Sequence, residues 1–368
     1  MSEKVFMKGN EAIGEAAIRS GCMAYYGYPI TPQNELTAYM GKHMQEKDRV
    51  FIQTESEITA INAVFGSSVA GFRAMTSSAS TAMSLKQEGI SHLAYLEIPA
   101  VIVDMMRGGP GLGNILATQG DYIQATKGGG TGDYHVIVLA PNSVQEAADL
   151  TRLAFDLSDQ YRNPAMLLAD GTIGQMVELV EFPEAVDPYD IPARDFALTG
   201  CKGREPRKAE PKNSAEDLEN HNLALQNKYE KVTAKEKRSQ SILTEDAEIV
   251  VVAFGFVSRI AHEMVVELRK EGRKVGLFRP ITLWPFDEEG LEKATANARA
   301  IVVLEGNAGM MCNDIRMFLG KDRPIYFHGR MGGSIVNSIT VKEKIEAILD
   351  GREDWRELNG KQGLWKTF

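Results

Sequence analysis

Three side chains that can do chemistry stand where a predicted strand ends and a helix or loop begins. Thr31 lies in "YPITPQNE", Glu57 in "QTESEITA" and Arg107 in "DMMRGGPGLGN". Ligands of open parallel sheets bind at the carboxyl ends of the strands. A hydroxyl, a carboxylate and a guanidinium at such an edge would suit an anionic ligand together with a cofactor nitrogen.

The turn around Thr31 is stiffened by two prolines. We expect Thr31 to be the N-cap of a helix, with Pro32 at the first helical position, where proline is best tolerated. Pro29 restricts the backbone before it. Such a corner presents a hydroxyl and backbone N–H groups that would suit a carboxylate or a phosphate. The alternative is that Thr31 only caps its own helix.

Two glutamates, Glu55 and Glu57, stand at the next predicted strand-to-helix junction. Carboxylates in a first helical turn are favoured by the helix dipole, so a structural role is one explanation. The other is a partly buried glutamate that hydrogen-bonds a cofactor nitrogen. A helix turns by ~100° per residue, so the two cannot share a face if both are helical.

Arg107 follows directly after the apolar run "IPAVIVDMM" and offers a planar fork for a carboxylate. The glycines after it match neither G-x-G-x-x-G nor G-x-x-x-x-G-K-[ST]. The run "KGGGTGD" (127–133) also matches neither motif. We therefore expect flexible active-site loops rather than a Rossmann dinucleotide site or a P-loop.

Several other classes of protein are disfavoured by composition. The six histidines have no metal-ligand spacing, there is no G-x-S-x-G motif, and the three cysteines are far apart. Iron–sulfur clusters or a zinc knuckle cannot be built from this chain alone. The net charge of −9 argues against nucleic-acid binding. No apolar run approaches the ~20 residues of a membrane span, and we expect a cytoplasmic protein.

The chemistry-bearing residues belong to a predicted alternation of strands and helices. A helix capped by Asn10 is expected to run to Arg19, and Ser143 with Glu146 has capping-box spacing. The predicted strands span 49–54, 72–78, 98–106, 134–140 and 163–170. Such alternation indicates a mostly parallel sheet with helices on both sides.

The chain changes character after this first unit. Residues 189–245 are highly charged and predict a connecting segment with one exposed helix near 215–236, most simply a solvated linker. From 246 to 368, four apolar strands alternate with helices again. We therefore predict an α/β protein with two doubly wound, mostly parallel-sheet domains.

The chain resembles a known family. The stretches "MKGNEAIGEAAIRSGC", "YGYPITPQNE", "ESEITAINAVFGSSVAG", "FRPITLWPF" and "EGNAGMMCNDIR" look like the alpha subunit of 2-oxoacid:ferredoxin oxidoreductases. The segments "KQEGIS", "RGGPGLGN" and "ATKGGGTGDY" are most similar to the 2-oxoisovalerate (3-methyl-2-oxobutanoate) branch.

The resemblance implies thiamine diphosphate chemistry, in which a 2-oxoacid is oxidatively decarboxylated to acyl-coenzyme A and electrons pass to ferredoxin. Residues 1–188 would form the pyrimidine-type thiamine diphosphate-binding domain. Residues 189–245 would be the connection, and 246–368 a transketolase C-terminal-like domain. The diphosphate and Mg²⁺ would lie on a beta subunit, whose motif runs from G-D-G to an asparagine. In this chain, "LADGTIGQ" has Asp170-Gly171 but neither the leading glycine nor a matching downstream asparagine. [4Fe-4S] clusters would come from partners, which include a gamma subunit and a small ferredoxin-like iron–sulfur subunit.

The family's functional residues can be matched to positions in this chain. Glu57 matches the glutamate that contacts N1′ of the aminopyrimidine and promotes removal of the cofactor's C2 proton. Glu55 is the alternative candidate for this role. Thr31 matches the threonine that would hold the carboxylate or the carbonyl oxygen of the oxoacid, and Arg107 matches the arginine that would balance the substrate carboxylate.

The segment before Thr31 would complete this site. Pro29 and Ile30 would lie beside the cofactor, and Tyr28 beside the substrate. Whether Tyr28 and Ile30 shape a pocket for a branched side chain or pack beneath it stays open. A 2-oxoglutarate enzyme is the nearer alternative, and a non-catalytic scaffold subunit is the alternative of another class.

Overall fold

The computed structural model describes residues 4–206, 212–320 and 322–352, together with the backbone of 364–367. The elements of the first half are β1 (Lys4–Lys8), α1 (Gly9–Arg19), β2 (Ala24–Gly27), α2 (Asn34–Gln45), β3 (Val50–Gln53), α3 (Glu57–Val69), β4 (Ala74–Ser78), α4 (Gln87–Tyr95), β5 (Ala100–Met106), α5 (Tyr122–Thr126), β6 (Ile137–Leu139), α6 (Val144–Tyr161), β7 (Pro164–Asp170), α7 (Gly171–Gln175) and β8 (Val177–Glu181).

The second half begins with a long helix and continues as another α/β unit. Its elements are α8 (Ala215–Lys235), β9 (Ser239–Ile242), β10 (Ile249–Val252), α9 (Gly255–Lys270), β11 (Val275–Pro280), β12 (Thr282–Trp284), α10 (Glu288–Thr295), β13 (Ala300–Glu305), α11 (Met310–Leu319), β14 (Ile325–Gly329), α12 (Ser338–Leu349) and β15 (Leu364–Thr367). Among the described helices, none has both the length and the apolar character needed to cross a membrane.

A seven-stranded sheet forms the centre of the first half, in the order β12-β6-β7-β5-β4-β2-β3. The pairs from β6 through β3 are all parallel. β5 and β7 are buried at every position because helices cover both faces, which explains their continuous apolar runs. All five strands predicted for this half are confirmed, with slightly trimmed ends.

A six-stranded sheet, β15-β14-β13-β10-β11-β9, forms the second half, and β1 pairs with β8 in a small antiparallel sheet. Its four central strands, β14, β13, β10 and β11, are parallel to one another. The predicted class, α/β with two mostly parallel sheets, is confirmed by these topologies.

One strand crosses between the halves. The sequence predicts that "KVGLFRPITLWPF" is one strand followed by a proline-rich loop, but the structure contains two strands, β11 and β12. β12 leaves the six-stranded sheet and pairs antiparallel with β6 at the edge of the other sheet. There Trp284 stacks on His135. The two halves therefore share a seam of backbone hydrogen bonds and ring contacts.

The predicted helix of the charged segment is confirmed as α8, but it is not solvated on all sides. Leu225, Tyr229 and Val232 are buried on its inner face. Tyr229 makes edge-on ring contacts with both His135 and Trp284. The apolar inner face thus packs α8 over the seam between the halves, which corrects the simple linker interpretation.

Two predicted helix starts are wrong. α2 begins at Asn34 with Gln33 as its N-cap, because residues 30–33 form a separate turn in which Gln33 N donates to Ile30 O at 3.0 Å. Thr31 is therefore no cap. α1 begins at Gly9 with Lys8 as its N-cap, and Asn10 lies inside the helix.

Two further helix predictions can be compared directly. The cap of α6 is confirmed, since the Ser143 hydroxyl accepts from Glu146 N at 3.0 Å. The helix expected near Met83–Tyr95 starts as a 3-10 turn, Met83–Lys86, before α4.

Candidate active site

Four neighbouring parallel strands bring the predicted residues to one edge of the seven-stranded sheet. β3, β2, β4 and β5 are consecutive in the sheet and end on the same side. Thr31 follows β2, Glu57 follows β3 and Arg107 follows β5, while Ser80 follows β4. The carboxyl ends of the strands therefore form a continuous row of polar residues.

The turn that carries Thr31 is held by hydrogen bonds of the Gln33 side chain, which is fully buried. Gln33 Nε2 donates to Tyr28 O at 3.3 Å, and its Oε1 accepts from the hydroxyls of Ser77 and Thr37 at 2.5 and 3.1 Å. One amide thus connects the turn to β4 and α2. The prolines stiffen the turn, but this buried amide fixes its position.

The end of the turn is held by side chains from two other helices. Pro32 O accepts from Asn10 Nδ2 at 2.8 Å and from Gln175 Nε2 at 3.2 Å. Asn10 thus serves the site instead of capping α1. The Thr31 hydroxyl oxygen accepts from Asn34 Nδ2 at 3.2 Å, which leaves the hydroxyl proton available for a ligand.

Arg107 is a buried cation that has no carboxylate partner among the described residues. The side chain is only 7% exposed, Nη1 donates to Thr31 O at 3.0 Å, and Nη2 donates to Leu112 O at 3.2 Å. Nε is buried and has no acceptor among the residues that the structure describes. An arginine whose charge is not matched by the protein is suited to an anionic ligand.

Glu57 and Glu55 differ in burial and in hydrogen bonding. Glu57 is the first residue of α3 and is 6% exposed, whereas Glu55 is exposed. The Glu55 carboxylate accepts from the Thr59 and Ser56 hydroxyls, and these hydrogen bonds lower its pKa. No described residue donates a hydrogen bond to the Glu57 carboxylate, and none joins it to Thr31 or Arg107. Glu55 thus stabilises the helix start, and Glu57 is held inward with an unused carboxylate.

A cleft of about 370 Å³ opens beside Arg107. Loops of both halves line it, and they contribute Asp121 and Met310 among others. Gln119 holds those loops together: its N donates to Gly306 O at 3.0 Å, and its Nε2 donates to Phe254 O at 2.8 Å. The cleft therefore lies where the strand ends of the two sheets meet.

A buried acid pair lies at the cleft, and one member of it, Asp121, lines the cleft. Ser80 N donates to Asp104 Oδ1 at 3.1 Å, and the Ser80 hydroxyl donates to the Asp121 carboxylate. Burial raises the pKa of Asp121 to about 6. Burial and the nearby Asp121 charge raise the pKa of Asp104 well above its ordinary value. The pair therefore retains a proton in mildly acidic solution.

Several of these residues were missed by sequence analysis. Gln33, Gln119 and Asp121 act through contacts with chain segments distant in sequence, so no local pattern marks them. The loop 127–133, in contrast, does not line the cleft beside Arg107, and its Gly129 N donates to Gln87 Oε1 at 3.0 Å. Asp170 is fully buried, and its carboxylate accepts from the backbone N–H groups of Thr172, Ile173 and Phe256.

Comparisons with known proteins fit this architecture. A family described as "Pyruvate flavodoxin/ferredoxin oxidoreductase, thiamine diP-bdg" matches residues 15–244, and one described as "Pyruvate:ferredoxin oxidoreductase core domain II" matches 247–341. The chain is 45% identical over 351 residues to "Ketoisovalerate oxidoreductase subunit VorB" of Methanothermobacter marburgensis, covering 95% of this chain and 99% of that one. It is 32% identical to "2-oxoglutarate synthase subunit KorA" of Methanothermobacter thermautotrophicus, with 91% and 96% covered.

Solved structures share the fold. A 2-oxoglutarate:ferredoxin oxidoreductase from Magnetococcus marinus matches with a TM-score of 0.82 at 24% identity, over 94% of this chain and 65% of that chain's length. A split-gene transketolase matches with a TM-score of 0.57 at 14% identity, over 94% of this chain and 98% of that one. The chain belongs to the 2-oxoacid:ferredoxin oxidoreductase family and contains its thiamine diphosphate-binding domain.

Proposed function

We propose, from this family membership, that the chain is the alpha subunit of an oxidoreductase for branched-chain 2-oxoacids such as 2-oxoisovalerate. The reaction is oxidative decarboxylation to acyl-coenzyme A and CO₂, with electrons passed to ferredoxin. The 45% identity to a ketoisovalerate oxidoreductase subunit, against 32% to a 2-oxoglutarate synthase subunit, supports this choice of substrate.

The observation that carries the proposal is the unpaired guanidinium of Arg107 at the cleft. In the proposed complex Arg107 binds the carboxylate of the oxoacid, and the Thr31 hydroxyl donates to its carbonyl oxygen. Arg107 Nη1 already donates to Thr31 O at 3.0 Å, so the two residues act on one small molecule. Net rate enhancement requires that Arg107 interact more strongly with the charge developing in the transition state than with the ground-state carboxylate.

The cleft also favours a substrate with one carboxylate. Arg107 is the only lysine or arginine among the described residues that line it, and Asp121 adds an acid. A second carboxylate, as in 2-oxoglutarate, would lack a cation there. Met310 and Met331 offer adaptable apolar surface for a branched side chain. Tyr28, which is 39% exposed beside Thr31, does not line the cleft, and we assign it to the substrate through its position next to that turn.

Glu57 fits the aminopyrimidine side of thiamine diphosphate. Glu57 is buried, and its carboxylate receives no hydrogen bond from the described residues. A protonated ring nitrogen would supply the missing donor. We assign Glu57 to the hydrogen bond with N1′, and Pro29 and Ile30 to contacts with the ring. When bound, this cofactor supplies a nucleophilic carbon and an electron sink for loss of CO₂. The role of Glu57 is to hold or release a proton at N1′.

The diphosphate and Mg²⁺ are assigned to a beta subunit, and the [4Fe-4S] clusters to further subunits, including a gamma and a small ferredoxin-like chain. Apolar side chains around the site support a covering partner, since Ile58, Leu112 and Ile115 are each more than half exposed. Within this chain we assign 1–188 to the pyrimidine-type domain, 189–245 to the connection and 246–368 to the transketolase C-terminal-like domain.

Turnover by the assembled complex tests the substrate. The chain is co-purified with the subunits encoded beside it and assayed with coenzyme A and a ferredoxin surrogate. A higher kcat/KM with 2-oxoisovalerate than with 2-oxoglutarate is expected, and a clear preference for 2-oxoglutarate would contradict the assignment. No turnover of any 2-oxoacid by the complete complex would instead indicate a scaffold subunit.

The two glutamates provide a matched pair of variants. Glu57→Gln in the assembled complex should lower kcat by about 10²–10³-fold, because the amide cannot exchange a proton with N1′. Glu55→Gln should change kcat by less than about threefold, as expected for an exposed residue. The reverse order of effects would move the cofactor contact to Glu55.

Cofactor affinity tests the division of the site between subunits. Calorimetry of the isolated chain with thiamine diphosphate and Mg²⁺ should give no tight binding, because the diphosphate side is assigned to the beta subunit. A low-micromolar dissociation constant without partners would contradict that division.

A further inference from the structure

Lys86 is a lysine with no exposed surface, located directly beneath the start of α3. It ends the 3-10 turn Met83–Lys86, and its relative exposure is 0%. Nζ donates to Thr76 Oγ1 at 3.0 Å and to Glu57 O at 3.4 Å. No carboxylate among the described residues lies within ion-pair distance of it. Fully buried lysines are rare unless they are paired, so this amine requires an explanation.

The amine has an electrostatic link to Glu57. Burial lowers the pKa of Lys86 to about 7, and the Glu57 charge acts in the opposite direction and raises it. Among the described residues, Glu57 is the one charged group that shifts the pKa of Lys86, and it lies in α3, which packs against the turn Met83–Lys86. Thr76, the other partner, is a neutral residue of β4. Lys86 and Glu57 are thus a buried cation and a buried carboxylate held in place by the same helix start.

A purely structural role does not account for an amine at this position. A methionine would fill a similar volume without the desolvation cost of an ammonium group, and apolar replacements of buried charges are often neutral or stabilising. The backbone O of Glu57 accepts the bond from Nζ, so the amine constrains the residue assigned to the cofactor.

We propose that Lys86 is a positioning residue for Glu57, holding the first turn of α3 in place and balancing the charge of the carboxylate that faces the cofactor. This inference rests on the proposed function, because it gives Glu57 a partner in the step assigned to it. Lys86 touches neither the cofactor nor the substrate and acts only through Glu57.

The link between the two residues can be measured in the isolated full-length chain, without cofactor or turnover. The native pKa of Lys86 lies below its unfolded value, so the unfolded state binds more protons above about pH 7. The wild type should therefore become more stable relative to Lys86→Met as pH rises from 7. The ratio of their unfolding equilibrium constants, wild type over variant, should fall by up to about tenfold per pH unit.

The same measurement in a Glu57→Gln background tests whether the carboxylate is the partner. Removing the carboxylate removes the charge that favours the ammonium, so the pH at which the fall begins should drop by about one unit. An unchanged onset would overturn the proposed link. Lys47→Met, at an exposed lysine, is the matched control and should show no such fall.

Kinetics of the assembled complex test the consequence for catalysis. Lys86→Met should lower kcat by about 10- to 100-fold and leave KM for the oxoacid within about twofold, because the substrate contacts are intact. Exchange of the cofactor's C2 hydrogen for deuterium, measured without substrate, should slow by the same factor. Full rates of exchange and turnover in Lys86→Met would overturn the inference.

A conservative variant separates charge from packing. Lys86→Gln retains a hydrogen-bond donor for Thr76 but has no charge, and it should remain as slow as Lys86→Met. Recovery of the wild-type rate in Lys86→Gln would assign Lys86 a packing role and overturn the inference. If Glu57→Gln itself keeps full activity, the proposed function fails at Glu57, whereas the unfolding measurement still reports on the Lys86–Glu57 link.

Discussion

Two buried arginines of this chain, Arg107 and Arg279, have opposite surroundings. Arg279 in β11 donates through Nη1 and Nη2 to Glu146 at 2.6 and 2.8 Å and through Nε to Gln240 at 3.2 Å. Arg107 after β5 donates to two backbone carbonyls, and its Nε has no acceptor within the described part of the chain. The two side chains are 4% and 7% exposed, so burial does not distinguish them.

The two guanidinium groups differ in how far the protein satisfies their charge and their hydrogen-bond donors. A bidentate carboxylate neutralises Arg279 and uses its planar fork to join β11 to α6, one element from each half. Arg107 keeps its positive charge and opens to a cleft. A buried arginine with complete partners indicates a structural contact, and one with incomplete partners indicates a binding site.

Loss of the unpaired arginine should have the largest effect. Arg107→Ala in the assembled complex should lower kcat/KM for the oxoacid by about 10³-fold, or ~4 kcal/mol, because the transition-state charge loses its main donor. Steady-state kinetics with 2-oxoisovalerate provide the measurement. Urea unfolding of the same variant is the control, and unaltered kcat/KM would remove Arg107 from the site.

Loss of the paired arginine should affect stability instead. Arg279→Met leaves Glu146 partly buried without its partner and should lower the free energy of unfolding by about 3 kcal/mol. Removing both charges in Arg279→Met/Glu146→Leu should restore much of it. Urea unfolding of the three chains tests this, and equal stability of the single and double variants would show that Glu146 without its partner carries no cost.

The acid pair at the cleft should have the smallest effect, with a defined pH dependence. The raised pKa of Asp121 means that the native state binds more protons than the unfolded state between about pH 4 and 6. Wild-type stability therefore falls as pH rises through that window. Asp121→Asn lacks this loss and should gain about 1–2 kcal/mol relative to wild type between pH 4 and 7.

Unfolding of both chains at several pH values measures that difference. A constant stability difference across the window would show that Asp121 titrates normally.

Local sequence patterns predicted the central parallel strands and most helices, since continuous apolar runs such as that of β5 leave little choice in a sheet covered on both faces. They gave no strand for β1, β8 or β9 and did not separate β12 from β11. They failed where tertiary contacts decide the local structure. Thr31 has the composition of an N-cap, but the side chains of Asn10, Gln33 and Gln175 hold its turn apart from α2. Those contacts join residues that are up to 143 positions apart.

The candidate site was predictable in part. Strand ends and residue types pointed to Thr31, Glu57 and Arg107, and the structure places them in one row at the sheet edge. The unpaired state of Arg107 and the burial of Glu57, in contrast to Glu55, depend on packing and could not be derived from spacing. The surroundings of Lys86 were equally hidden, because a lysine in "TAMSLKQEGI" is expected at the surface.

The crossing of β12 into the other sheet has a consequence for how the chain can be divided. A cut in the charged segment before α8 severs the backbone, but the hydrogen bonds of β12 with β6 and the ring stack of Trp284 on His135 still span the cut. A nicked protein should therefore migrate as one species under native conditions. A fragment ending before α8, expressed alone, would present the bare edge of β6 and should tend to associate with other chains through it.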